Sequence, residues 1–120
     1  MLLIEFDFFE RILLYLLVNM YGYCILISPR SEIFVTTKLW HTETSDVEKA
    51  LRGSLARLKL DYVDLYLVHW MRPYVDWESE NWEIKSPPHH VIWTNMEKMV
   101  ELGLTKSIGV WYFYTKTGLY

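Results

Sequence analysis

The chain has 120 residues, a formal charge of −3 and 52% hydrophobic residues, with nine tyrosines and six tryptophans among them. That length suits one domain, the apolar load excludes a disordered chain, and the mild acidity excludes a general binder of nucleic-acid backbone. Cys24 is the sole cysteine, so neither an internal disulfide nor a cysteine-based zinc site can form, which suits a reducing compartment.

The composition changes near Ser28-Pro29-Arg30. Ahead of it, Ile12 to Ile27 runs about sixteen residues without a charge. That is short of the roughly twenty needed to span a bilayer, and Glu5, Asp7 and Glu10 are the wrong flank for a signal peptide. Residues 1–29 are therefore set apart as a hydrophobic segment foreign to the downstream domain, with a buried element or a membrane attachment through residues 12–27 as alternatives.

From Ile33 to Leu39 the chain is β-branched and apolar, which predicts a strand. Ser45 followed by Glu48 has the form of a capping box, and Val47, Ala50, Leu51, Leu55 and Leu58 recur at helical spacing. Val63–His69 predicts a second strand covered on both faces. Residues 71–90 are polar and contain proline, so they read as a loop. Ile92, Trp93, Met96, Met99 and Val100 mark a second helix that Gly103 ends, and Ser107–Phe113 predicts a third strand. Strand, helix, strand, helix, strand is an α/β pattern whose natural solution is a parallel sheet. Chemistry in such sheets gathers at the carboxyl ends of the strands, where Lys38 and His69 both fall.

Three blocks, EIFVTTKLW, DVEKALRGSLARLKLDYVDLYLVHW and MEKMVELGLTKSIGV, resemble the aldo-keto reductases from about Arg30 to Val110. The resemblance implies strands three to five of a (β/α)8 barrel, so residues 30–113 are expected to form a partial domain and 114–120 a tail. It implies reduction of an aldehyde or ketone carbonyl with NADP(H) as cofactor, in a cytoplasmic protein that is usually monomeric. Lys38 matches the family's catalytic lysine and His69 its histidine, while Trp40 and Trp70 would wall the substrate pocket. A cation beside the family's tyrosine lowers the phenol's pKa from about 10 toward working range, and an imidazole can orient the carbonyl.

The pattern also breaks. Tyr21-Gly22 resembles the tyrosine's surroundings but precedes Lys38 by too few residues for an intervening strand–helix unit. Trp111-Tyr112 stands where the family has the serine and asparagine that hold the nicotinamide amide. The chain is therefore expected to be truncated, to turn over little alone and to leave sheet edges open. The alternative is a non-catalytic fragment or interaction module. His89-His90 has no supporting ligand cluster, so no metal is expected, and the acidic stretch Asp76–Glu83 reads as solvated surface.

Overall fold

The computed structural model describes residues 2–5, 29–71, 86–112, 114–115 and 118–119. Four parallel strands form one sheet in the order of the chain: β1 (Leu2–Glu5), β2 (Ile33–Leu39), β3 (Val63–Trp70) and β4 (Thr105–Tyr112). Helix α1 (Val47–Leu58) connects β2 to β3, and α2 (His89–Glu101) precedes β4. Beyond them, β5 (Tyr114–Thr115) pairs antiparallel with β6 (Gly118–Leu119). The fourth parallel strand comes from the amino-terminal hydrophobic stretch: Leu2–Glu5 lies in register with Ile33–Thr36. The uncharged run 12–27, Cys24 and the acidic loop lie outside the described residues.

Register divides the sheet into two faces. Thr37 and Leu39 align with Tyr66 and Val68, which align with Ile108 and Val110. This face meets both helices: Leu39, Tyr66 and Val68 share one buried cluster with Val47 and Leu51 of α1 and Ile92 and Met96 of α2. Each of these side chains is at most 2% exposed, and burying one contributes roughly 1.5–3 kcal/mol. The opposite face carries Thr36 and Lys38 of β2, Leu65 and Leu67 of β3, and Ser107 and Gly109 of β4. Neither α1 nor α2 packs there, so period-two alternation decides which side chains are fixed by the core and which are left for a site.

The helix ends follow local chemistry. Asp46, rather than Ser45, caps α1: its carboxylate accepts the Lys49 backbone N–H at 3.0 Å. With Asp46 at the N-cap, Glu48 is the second helical residue and out of register for the Ser45–Glu48 box; it pairs instead with Arg52 one turn on, at 2.9 Å, and with Lys98 of α2 at 3.4 Å. Helix α2 begins at His89, inside the stretch that reads as loop, because Pro88 supplies the extended residue before the first turn. Gly103, at φ 70°, ends α2 as expected; its N–H reaches Val100 O and that of Leu104 reaches Met99 O. The same closure ends α1 with a lysine: Lys59 sits at φ 55°, and Leu60 N–H reaches Leu55 O. A β-carbon disfavours that left-handed conformation. Lys59→Gly should therefore raise unfolding stability by about 0.5–1 kcal/mol, read from urea midpoints at constant slope.

An ionic lock joins the amino ends of three strands. Asp64 is the second residue of β3 and is 5% exposed. Its carboxylate accepts the Val35 backbone N–H at 2.9 Å, and it pairs with Arg30 at 2.8 Å and with Lys106 at 3.0 Å. Both cations also face the Tyr62 ring, at 4.2 and 4.6 Å from its centre. Burial pushes the Asp64 carboxyl up, but the Val35 N–H, Lys106 and Arg30 together outweigh it and hold its pKa below the usual value. Asp64 also holds Lys106 above the ordinary lysine value.

Candidate active site

At the other end of the sheet, Lys38 aligns with Leu67 and Leu39 with Val68. His69 therefore lies one strand over and two residues beyond Lys38, about 8 Å away between α-carbons by strand geometry. Continuing the alternation, both residues belong to the face opposite the helices. The sequence-based placement of these two basic groups at one strand end is what the sheet displays.

The two tryptophans join them. Trp40, one residue past β2, stacks on the His69 ring with centroids 4.5 Å apart and planes at 21°. Trp70 stacks on His69 at 5.3 Å and 9°, and lies 5.8 Å from Trp40. His41, not singled out in the sequence, completes the group by stacking on Trp70 at 5.8 Å. A hydroxyl-to-carbonyl bond from Thr44 to His41, 3.1 Å long, closes the turn that carries it. Two indoles thus flank the imidazole, with His41 packed against both of them, and ring stacking of this kind adds about 0.5–1.5 kcal/mol per pair beyond area burial.

Trp111 has a role that sequence reasoning missed. The sequence marks it only as the replacement of a cofactor contact. Here the Lys38 ammonium lies 4.1 Å from the centre of its ring. Finding that contact requires the strand order and register, because the two residues belong to strands separated by β3.

The described tyrosine side chains do not supply a proton donor to this end. Tyr66 faces the helices and is 1% exposed; burial, with Glu43 adding to it, pushes its pKa far above the usual phenol. Tyr62 lies at the opposite end, in the Asp64 lock. Tyr21 lies outside the described residues.

Nor do the described residues fit a dinucleotide. The indole at the end of β4 presents its face to Lys38, where an amide would need polar partners. The cations Arg30 and Lys106, which could meet phosphates, are engaged with Asp64 at the far end. Among the described residues, no group of three or more His, Cys, Asp or Glu could hold a metal ion. No described helix is long and apolar enough to cross a membrane.

The model of the aldo/keto reductase family matches residues 18–117. The chain belongs to the aldo-keto reductase family. An aldo-keto reductase family 1 member A1 of Gallus gallus is 46% identical over 92 residues, covering 68% of this chain and 28% of its own length. An aldehyde reductase of Saccharomyces cerevisiae is 42% identical over 103 residues, covering 68% of this chain and 31% of its own. An aldo-keto reductase of Bombyx mori, solved in complex with NADP, superposes with a TM-score of 0.65 and 34% identity over 78% of this chain and 30% of that one. The chain thus spans less than a third of the length of these proteins, and its parallel strands and helices form part of an α/β barrel.

Proposed function

We propose that this chain carries the lysine–histidine corner of a carbonyl reductase site, acting on small aldehydes or ketones in the family reaction. The observation that supports it is the parallel register, which sets Lys38 and His69 on one sheet face at the carboxyl end, with Trp40 stacked on the imidazole. In this reading a carbonyl oxygen lies between the two basic groups. The His69 imidazole donates a hydrogen bond to it, and the Lys38 ammonium stabilises the negative charge that grows there as the carbon is reduced. Trp40 and Trp70 form the apolar wall that excludes water and raises the worth of both interactions.

NADP(H) is the cofactor of this reading, taken from the Bombyx mori relative, whose structure holds NADP. The described residues hold the carbonyl side of the site and not the dinucleotide, so the 120 residues by themselves are proposed to turn over little. A cytoplasmic monomer belongs to the same reading through the family resemblance, and the lone Cys24 suits a reducing compartment.

The test is a graft. Residues 30–110 of this chain replace the matching segment of the Saccharomyces cerevisiae aldehyde reductase, and NADPH oxidation is followed with a small aldehyde. The reading predicts turnover within about tenfold of the parent, since only the spacing of a preserved corner is altered. A folded graft without aldehyde-dependent oxidation would contradict it.

A further inference from the structure

We propose that Trp111 is a positioning residue for Lys38: its indole face holds the lysine ammonium over the sheet at the end of β4. The inference rests on the reading that Lys38 serves carbonyl reduction.

The register sets the distances. Lys38, Leu67 and Gly109 lie side by side across β2, β3 and β4. Trp111 is two residues beyond Gly109 and, by alternation, on the same face. Its α-carbon is two strands away from that of Lys38, about 10 Å across and 7 Å along. Only a long side chain extended across β3 closes such a gap, and the ammonium reaches 4.1 Å from the ring centre. Gly109 keeps the path open. A β-carbon there would stand 2.9 Å from Cδ2 of Leu67, so Leu67 fills the space above the glycine. A side chain at 109 would push Leu67 back toward the lysine stem.

The contact fits a hold and not casual packing. Trp111 is 57% exposed, so its burial explains little, whereas its electron-rich face is turned to a cation. An extended lysine left to itself samples many rotamers, and one fixed on a ring does not. Trp111 need not be the lysine's sole contact for this to hold. The consequence is directional. The ring draws Nζ toward β4, so the same residue that displaces the family's polar contact also sets where the charge of Lys38 stands.

Acylation of lysines by an acetyl-transferring succinimidyl ester, read by mass spectrometry, tests this in the full chain. Lys59, exposed at the end of α1, is the internal reference, and Lys106, held by Asp64, is the fold control. In the wild type, Lys38 should label more slowly than Lys59. Trp111→Leu should raise the Lys38-to-Lys59 ratio about two- to fivefold, while Trp111→Phe, which keeps a ring face, stays near the wild type. An unchanged ratio in Trp111→Leu, or an equal rise in both variants, would overturn the proposal. If Lys106 labelling also rises in Trp111→Leu, the fold has been lost and a second measurement decides. Lys38→Met must then shift the Trp111 indole N–H resonance, assigned through Trp111→Phe, and an unmoved resonance overturns the hold. Labelling needs no turnover. A raised ratio beside graft rates indifferent to Lys38 would uphold Trp111 and reject the reductase reading; an unchanged ratio beside lost graft rates would do the reverse.

Discussion

Replacing Asp64 by alanine should cost about 2–3 kcal/mol of unfolding free energy, the largest loss expected from any single polar change in the described residues. The carboxylate satisfies the backbone N–H of Val35, a residue 1% exposed, and an amide left unpaired there loses roughly 1–3 kcal/mol alone. The ion pairs add less than their number suggests. The Arg30 side chain is 22% exposed and the Lys106 side chain 60%, so water screens both, and neither becomes a buried orphan when Asp64 is removed. Asp64→Asn should cost less, because an amide oxygen can still accept from Val35. The pH dependence has a definite sign. The folded carboxyl titrates below its unfolded value of about 3.9, so its contribution is full above that value and fades as pH falls through the lower, folded one. Urea midpoints taken between pH 7 and pH 3 should decline on the acid side for the wild type and decline less for Asp64→Asn. Equal acid limbs would show that Asp64 carries none of the acid sensitivity.

Removal of either basic group at the other end should act on rate and leave the fold nearly intact. In the graft, Lys38→Met and His69→Gln should each lower kcat/KM by about 10²–10⁴, the usual worth of a positioned group assisting proton or charge transfer. Methionine retains the length of the lysine stem across β3, and glutamine retains a donor near the imidazole position. The losses therefore report charge at Lys38 and donor placement at His69, and not a cavity. Removing an aromatic such as Trp40 would give an ambiguous result, since Trp40 packs His69, His41 and Trp70.

The sequence was most informative where one residue's neighbours along the chain decide the structure. Ile33–Leu39 is a strand with the expected ends, since β-branched residues flank each other there. Gly103 ends α2 because a left-handed residue is a local demand. Lys38 and His69 fall at the same end of neighbouring strands because alternating strands and helices impose parallel pairing. Elements fixed by distant partners were less legible. Leu2–Glu5 is a four-residue edge strand whose pairing to β2 spans the whole amino-terminal segment. The proline-rich entry to α2 looks like loop until the helix is seen to start one residue after Pro88. Asp64 is one acidic letter within an apolar strand; its partners Arg30 and Lys106 stand 34 and 42 positions away in the chain, on either side of it. The Lys38–Trp111 contact likewise needs the order of three strands and their register.

The central claim is that Lys38 and His69 act on one carbonyl oxygen, and a double substitution tests it most directly. Aldehyde turnover would be compared in the graft, its two single variants and Lys38→Met/His69→Gln. Groups that act as a unit are non-additive, so the account predicts that the double variant is little slower than the slower single. Losses that multiply would assign the two residues to separate tasks, and single variants as fast as the graft would remove them from the chemistry altogether.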